Sequence, residues 1–410
     1  MNFIWKLQMP STRYGLDGVM VSAIAIVMLW GLIMVASASL AQAEKMTGAP
    51  FHFFTRQCLF LMMGLLAGFL IYCVPMQQWE NSRVGLLAFA LFLLVIVLIP
   101  GLGVKVNNAR RWIDFGVFRL QASEPARLAL ILYMAGYITR KQVELQTSFK
   151  GLAMPLGLLA LPALLLLLEP DFGATVILFS VAFLMLFLGG ARPLFFAALA
   201  GLAATAAAIL AVAAPYRLKR LLNFMDPWGD IEHGGWQLAQ SLIAVGRGEW
   251  TGVGLGNSVQ KLLYLPEMHT DFIFAILAEE FGLLGIAALM TLFGIIVWRG
   301  FSIGRQAEVL DFRFRAYLCY GLSGWLGLQA LINMAVNMGA LPTKGLTLPL
   351  MSYGGSSLLT VCVILALILR VDYENREAMG VKPANASVRP DPLPRKRASR
   401  AEPVMPELFP

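Results

Sequence analysis

The sequence predicts an all-α integral membrane protein with about ten transmembrane helices. Apolar residues make up 58% of the chain and charged residues only 14%, against roughly 25% charged residues in an ordinary soluble domain. Apolar stretches about 18 residues long also recur, and this is the length that a helix needs to cross roughly 30 Å of hydrocarbon. Such uninterrupted runs favour spanning helices, since a helix satisfies its backbone hydrogen bonds internally.

Hydropathy places these spans along most of the chain. The fourth is the least apolar of the set, because its first turns contain charged residues. The predicted spans are residues 19–41, 57–75, 84–100, 123–140, 151–168, 173–190, 193–214, 271–298, 316–337 and 352–371.

Charge predicts the orientation. An even number of spans puts both termini on one side, and the arginine-rich C-terminal end indicates that this side is the cytoplasm. The rule is obeyed only weakly, since one short outer loop also contains several cations: Lys105, Arg110, Arg111 and Arg119. The formal net charge of +8 therefore fits anchoring to anionic lipid and argues against a nucleic-acid partner.

The predicted organisation is one polytopic domain, residues 19–372, between two cytoplasmic tails. Residues 1–18 form the first tail, and residues 373–410, rich in Pro, Ala and Arg, form a tail expected to be disordered. Two outer, periplasmic connections are large enough to contain a site: residues 101–122, and residues 215–270 before the eighth span.

Cysteine and histidine usage gives little sign of redox or metal chemistry. All four cysteines fall inside or at the end of predicted spans, where ordinary core positions are the simpler interpretation. Only three histidines are present, so a Cys/His cage for zinc is improbable.

Asp271 stands where a polar triplet meets the start of a long apolar helix. An aspartate there is well placed as an N-cap that accepts backbone N–H bonds. The alternative is a carboxylate at the mouth of a membrane cavity that acts as a general base, although the spacing by itself favours the cap. The two interpretations make opposite demands on the same oxygen atoms, and only geometry separates them.

Glu279 and Glu280 lie about 12 Å further along the same helix, at about 1.5 Å per residue. Acids inside a membrane are costly and are functional candidates by default, for example on a proton pathway. The alternative is a structural pair with a buried cation or hydrogen-bond donor.

The fourth span opens with a second charged pair. Ser123 is expected to cap this helix, Pro125 suits its first turn, and Glu124 and Arg127 share a face at i, i+3. The pair is either a self-satisfied salt bridge or a site that holds a substrate phosphate.

Near the last span, Lys344 lies in a loop bounded by Pro and Gly, and Gly354-Gly355-Ser356-Ser357 follows at a helix start. A lysine beside such a helix start can bind an anion through backbone N–H groups and the hydroxyls of Ser356 and Ser357. Close helix packing is the alternative role for the two glycines.

Together these segments resemble the SEDS family (shape, elongation, division and sporulation) from about residue 19 to residue 375. The most specific matches are Gly252-Val253-Gly254-Leu255-Gly256-Asn257-Ser258-Val259-Gln260-Lys261, His269-Thr270-Asp271-Phe272-Ile273-Phe274 and Glu279-Glu280-Phe281-Gly282. Arg247-Gly248-Glu249 and Gly256-Asn257-Ser258 are more similar to the cell-division members than to the elongation members.

The resemblance implies a SEDS-type fold and a peptidoglycan glycosyltransferase that polymerises lipid II with inversion at the division septum of the bacterial inner membrane. It implies that Asp271 is catalytic and that Glu124 and Arg127 form the paired groups of the central cavity. Arg111, Arg127 and Lys344 are the cations expected to stabilise the leaving pyrophosphate. Expected partners are a class B penicillin-binding transpeptidase, other division proteins and membrane lipids.

Some features depart from the family pattern or stay open. Arg127 stands where lysine is usual, and arginine does not readily release a proton. Glu169-Pro170-Asp171 replaces the usual Gln-Pro-Asp, which places an extra acid near the outer face. The sequence identifies no cofactor with certainty and leaves open a divalent cation, Mg²⁺ or Mn²⁺, that bridges Asp271 or Glu124 to pyrophosphate. The rival functions are a lipid II flippase and a septal scaffold that recruits the transpeptidase.

Overall fold

The computed structural model describes residues 7–9, 15–106, 109–116, 119–213, 223–229 and 235–380. It is predominantly helical. The helices are α1 (Gly18–Thr47), α2 (His52–Tyr72), α3 (Met76–Leu98), α4 (Ser123–Arg140), α5 (Gln142–Thr147), α6 (Phe149–Leu168), α7 (Phe172–Leu188), α8 (Pro193–Ala213), α9 (Trp236–Gly248), α10 (Ile273–Val309), α11 (Arg313–Asn337) and α12 (Gly355–Gly380).

Each of the ten predicted spans coincides with one of these helices. Within the described residues, six are long and apolar enough to cross a membrane: α1, α2, α3, α6, α10 and α12. Two more, α7 and α8, are apolar but have shorter described stretches. The remaining two, α4 and α11, are less apolar because they are largely enclosed by other helices. The number of crossings and the side on which the termini lie stay predictions.

The outer connection predicted as a loop at residues 101–122 contains a three-stranded antiparallel sheet. Its strands are β1 (Gly103–Val106), β2 (Ala109–Asp114) and β3 (Arg119–Gln121), in the order β1-β2-β3. Hydropathy missed them because they are short and partly exposed, so no strong period-two pattern develops. Ile113 of β2 packs on a small cluster of Leu93, Val97 and Ala122, which fixes the sheet above α3.

Helix α10 is broken near its outer end. Gly282 has φ 61° and ψ −160°, a backbone region open essentially only to glycine. The break exposes peptide groups, and the loop after α9 pairs with them: the amides of Val253 and Gly254 donate to the carbonyls of Glu279 and Glu280 at 3.0 Å each. The break is tolerated because other protein groups satisfy the peptide groups that it exposes.

At the opposite end of the molecule, buried charged residues join α1, α10 and α12. Asp17 caps α1 by accepting from the amide of Met20 at 2.9 Å, and it also accepts from Arg299 of α10. Its own amide donates to Asp372 of α12 at 3.1 Å. Helix α12 continues to Gly380, so residues 373–380, expected in the tail, are helical. Residues 381–410 lie outside the described part.

Candidate active site

Asp271 lies at the outer start of α10 but does not cap it. The helix begins at Ile273, and Phe272 occupies the N-cap position without a side-chain hydrogen bond. The capping interpretation of Asp271 is therefore wrong. The residue is half-buried, so it lies at the surface of the helical bundle.

Two asparagines of α11 fix the backbone at this point. The side-chain amides of Asn333 and Asn337 donate to the main-chain carbonyl of Asp271 at 2.9 and 3.1 Å. The carbonyl oxygen of the Asn337 side chain accepts from the amide of Ala275 at 3.3 Å, which satisfies one of the first amides of α10. The two asparagines of α11 thus fix the backbone at Asp271. The Asn337 side chain, rather than that of Asp271, caps α10.

The Lys344 loop lies directly beside Asp271. A methyl group placed on Gly345 would be 3.1 Å from Oδ2 of Asp271, so alanine there would require the carboxylate to move by a few tenths of an ångström. The Nζ atom of Lys344 lies 3.7 Å from the ring centroid of Phe172, at the start of α7. The carbonyl of Leu346 accepts from Asn333 at 2.6 Å, so the same asparagine holds both segments.

These asparagines belong to a polar stripe on α11 that the sequence analysis missed. Trp325, Gln329, Asn333 and Asn337 follow at four-residue spacing, which places them on one face of a helix, and all four are buried. Nε1 of Trp325 donates to Gln329 at 2.7 Å, and Gln329 donates to the carbonyl of Thr347 at 2.9 Å. A polar residue at every fourth position of an otherwise apolar span was the signal available.

Glu124 and Arg127 form a buried salt bridge on α4. The guanidinium lies over the ring of Trp325, 4.6 Å from the ring centroid. One oxygen of Glu124, Oε2, and one nitrogen of Arg127, Nη1, are buried without a hydrogen-bond partner. The pair therefore neutralises itself but keeps one acceptor and one donor for a further polar group.

Ser123 does not cap α4, because the cap position is Ala122. Its hydroxyl instead donates to Oδ2 of Asp171 at 3.3 Å, and the side chain of Gln121 donates to the same oxygen at 3.2 Å. The other oxygen of Asp171 caps α7 by accepting from Ala174 at 3.1 Å. Asp171 thus joins the end of β3 and the starts of α4 and α7.

Arg111, predicted to bind phosphate, reaches the turn between α6 and α7. Its Nε donates to the carbonyl of Glu169 at 3.0 Å, and its Nη2 donates to the carbonyl of Pro170 at 2.5 Å. Both bonds use backbone acceptors, so the guanidinium keeps its positive charge at the outer surface while it fixes the turn.

Ser356 and Ser357 are both engaged within the protein. The hydroxyl of Ser356 donates to the carbonyl of Arg119 at 2.8 Å and accepts from the amide of Gln121 at 2.9 Å, which ties β3 to α12. The hydroxyl of Ser357 lies 2.8 Å from Oγ1 of Thr347. The two serines shape the site by holding the sheet and the Lys344 loop in place.

Glu279 and Glu280 form hydrogen bonds with a different set of residues. Glu279 binds the Arg247 side chain at 2.7 Å, the Ser258 hydroxyl and the amide of Val259 at 3.1 Å. Glu280 accepts from Ser37 of α1 at 2.7 Å and from Lys261 at 3.1 Å. These contacts fit the structural interpretation, since each acid has specific donors in α1 or in the loop that closes the break in α10.

His269, two residues before Asp271, is buried between aromatic rings. Its ring centroid lies 4.6 Å from that of Phe53 and 5.5 Å from that of Tyr353. Burial lowers the pKa of the His269 ring, and the nearby charge of Glu267 opposes this shift. The cluster packs α2 against the segment that contains Asp271.

The structure therefore brings together the Asp271 segment, the Lys344 loop and the starts of α4 and α7. A methyl group on Gly173 would lie 3.3 Å from the side chain of Leu346, which joins the Lys344 loop to α7 beside Asp171. Among the residues that the structure describes, no three acidic, His or Cys side chains cluster closely enough to hold a metal ion.

Comparison with known proteins decides the family. The sequence pattern of the cell cycle proteins FtsW, RodA and SpoVE matches residues 18–377. The chain belongs to the FtsW/RodA/SpoVE family. The resemblance to the SEDS proteins is thereby confirmed, and so is a multi-pass helical membrane protein as its fold class.

Relatives in this family include bacterial proteins named probable peptidoglycan glycosyltransferase FtsW. The one from Thioalkalivibrio sulfidiphilus is 53% identical over 361 residues, covering 88% of this chain and 90% of its own. The one from Legionella pneumophila is 48% identical over 371 residues, covering 90% and 94%. The greater similarity to the cell-division branch is confirmed.

Solved structures of the family show the same fold. A chain of a peptidoglycan synthase complex, described as coordinating polymerization and crosslinking, matches with a TM-score of 0.71 at 28% identity, covering 89% of this chain and 99% of its own. The rod shape determining protein RodA of Thermus thermophilus matches with a TM-score of 0.63 at 26% identity and the same coverage.

Proposed function

We propose that this protein is a peptidoglycan glycosyltransferase that polymerises lipid II into glycan strands at the division septum. The observation that carries the proposal is the position of Asp271: half-buried at the outer start of α10, with its backbone fixed by α11 and the Lys344 loop beside it. The FtsW relatives, named as glycosyltransferases, support the reaction type.

In the proposed reaction, Asp271 removes the proton from a hydroxyl of the acceptor sugar. The resulting oxygen attacks the anomeric carbon of the donor, and the bond to polyprenyl pyrophosphate breaks with inversion. The base must lie where a sugar outside the membrane meets a lipid inside it, and the mouth of the helical bundle is such a place.

Negative charge grows on the pyrophosphate as it leaves, so fixed cations stabilise the transition state more than the ground state. Lys344 is the first candidate, because its loop contacts Asp271. Arg127 contributes the unpartnered Nη1 nitrogen, and Arg111 contributes charge at the outer edge of the sheet. No step of this reaction passes through a metal ion. Mg²⁺ or Mn²⁺ held mainly by the substrate would require only one protein carboxylate, from Asp271 or Glu124.

The proposed partner is a class B penicillin-binding transpeptidase, which would crosslink the strands that this protein makes. The similar chain from a peptidoglycan synthase complex, in which polymerization and crosslinking are coordinated, supports this pairing. Other division proteins would bring the two enzymes to the septum of the inner membrane.

The test compares the native protein with Asp271→Asn, purified with the transpeptidase and supplied with labelled lipid II. The amide keeps the size of the side chain but cannot take the proton, so we expect glycan-chain formation to fall at least about 100-fold, at the low end of the contribution of a general base. The matched control is Asp114→Asn, an exposed carboxylate in the outer sheet that pairs with Arg119, which should polymerise normally.

Normal polymerisation by folded Asp271→Asn would show that another group is the base. A flippase would instead move lipid II between leaflets of vesicles while making no polymer. Glu279→Gln and Glu280→Gln should leave the chemistry of the site intact in properly folded protein, whereas a flippase with a charged pathway would lose transport.

A further inference from the structure

Glu169, the acid that replaces the usual glutamine, is completely buried. Glu169 is the residue that follows the end of α6, and 0% of its surface is exposed. Both carboxyl oxygens are without a hydrogen-bond partner. A buried ionised carboxylate requires a cation or several donors to replace the water that it loses, whereas a neutral carboxylic acid requires far less.

The charged groups around Glu169 are already bound to other atoms. Arg111, from β2, directs its Nε and Nη2 to the backbone carbonyls of Glu169 and Pro170. Asp171, at the start of α7, accepts from Gln121, Ser123 and the amide of Ala174. No donor in the described residues therefore reaches the Glu169 carboxyl oxygens within hydrogen-bond distance.

Burial raises the pKa of Glu169 to about 9 from an ordinary value of 4.5, and the negative charge of Asp171 acts in the same direction. Arg111 opposes the shift but does not reverse it. The pKa thus agrees with the geometry, since both indicate a protonated side chain over the physiological pH range.

We propose that Glu169 is an uncharged carboxylic acid that substitutes for an amide, and that it positions the turn between Arg111 and Asp171 only while it remains protonated. Ionisation would place a second negative charge beside Asp171 and draw the Arg111 guanidinium away from the two backbone carbonyls. Glu169 is thus a positioning residue that makes the outer edge of the site sensitive to alkali.

The first test is thermal unfolding of the full-length native protein and of Glu169→Gln in the same maltoside detergent. A group with a raised pKa in the folded state holds a proton that the unfolded chain releases, so the native protein loses stability between pH 4.5 and about 9. Glutamine has no such loss. The melting temperature of Glu169→Gln minus that of the native protein should rise across this window and then level off.

The matched control is Glu144→Gln, an acid that is half-exposed and paired with Lys141. Its melting temperature should follow that of the native protein without a widening gap. A difference between Glu169→Gln and the native protein that stays constant with pH would overturn the proposal, because it would mean that Glu169 is ionised in both states.

The second test is spectroscopic. Infrared spectra of the native protein, in a detergent without ester carbonyls, should contain a protonated-carboxyl band at neutral pH that is absent from Glu169→Gln and disappears from the native protein as the pH rises through about 9. Conversion of every carboxyl to carboxylate by pH 7 would overturn the proposal.

The third test measures polymerisation and rests on the proposed function. Above a pKa of about 9, the protonated fraction falls about tenfold per pH unit. The activity of the native protein divided by that of Glu169→Gln should fall in the same way. A constant ratio would overturn the positioning role, whereas loss of polymerisation in both proteins at neutral pH would count against the glycosyltransferase assignment instead.

Discussion

A single carboxylate cannot serve fully as both helix cap and general base. At Asp271 the conflict is avoided because the helix starts two residues later and α11 supplies the bond to the Ala275 amide. The amide oxygen of Asn337 takes the role that an N-cap aspartate usually has. Removing the carboxylate of Asp271 should therefore affect chemistry much more than stability.

The buried pair Glu124 and Arg127 predicts a large effect on stability. Arg127→Met should destabilise the protein by about 3–5 kcal/mol, because it leaves Glu124 buried without its cation. Double substitution to Gln and Met should restore part of this loss. Denaturant unfolding in mixed micelles measures both values.

The control for Arg127→Met is a second ion pair with the same sequence spacing. Lys141 and Glu144 also pair at i, i+3, but their side chains are 45% and 52% exposed. Lys141→Met should change stability by no more than about 1 kcal/mol. Equal effects of the two substitutions would show that the Glu124 and Arg127 pair is hydrated in the protein.

Among the secondary-structure elements, α10 is divided by the break at Gly282 into a short part and a long part. Asp271 lies two residues before the short part that precedes Gly282, and the long part that follows Gly282 reaches Arg299 at the other end of the bundle. The loop after α9 closes the break from the side, with Glu279 and Glu280 binding back to it. These contacts with the loop therefore help to set the orientation of the short part of α10 that precedes Gly282.

The break predicts strong intolerance to a side chain. On Gly282, a methyl group would lie 2.4 Å from the amide nitrogen of Gly252 and 2.6 Å from the carbonyl oxygen of Gly248, both backbone atoms. Gly282→Ala should destabilise the protein by about 1–3 kcal/mol or more, because alanine is strained in this backbone conformation. Thermal unfolding measures the loss of stability, and polymerisation is the second readout.

Gly294 in the same helix is the control, since a methyl group there meets nothing within 4 Å. Gly294→Ala should be neutral or stabilising by about 0.5–1 kcal/mol, because alanine is the better helix former. If both glycines tolerated alanine equally, the close contact between the break in α10 and the loop after α9 would not form in the membrane.

At the scale of the whole molecule, the helices that run from the candidate site to the opposite end, among them the broken helix α10, meet there in buried charges. Burial alone would raise the pKa of Asp17, but the hydrogen bond and charge of Arg299, the amide of Met20 and the charge of Arg376 together hold it below its usual range. Asp17 thus links the starts and ends of three helices while remaining ionised.

This lowered pKa predicts a loss of stability in acid. The contribution of Asp17 is present above its unfolded pKa of about 3.9 and is lost as the pH falls through the folded value. The native protein should therefore lose melting temperature relative to Asp17→Asn as the pH drops below about 4. Parallel curves for the two proteins would mean that the Arg299 contact does not form.

Much of the fold was predictable because the apolar runs are long. Every predicted span coincides with a helix, and even the weakly apolar fourth span begins and ends at the predicted residues 123 and 140. The three strands and α9 were not predicted, since short amphipathic segments have no comparable signal. The polar stripe on α11 was visible in the sequence, but its spacing acquires meaning only once it faces Asp271.

The membrane class, the family and the chemical groups available to the site follow from the sequence alone, because hydropathy and motifs are properties of neighbouring residues. The role of each group became clear only from the folded chain. Capping by Asn337, the pairing of Glu279 and Glu280 with a loop, and the buried position of Glu169 all depend on contacts between residues far apart in the chain. Local sequence does not encode burial or partner, and these two quantities set the charge and role of an ionisable side chain.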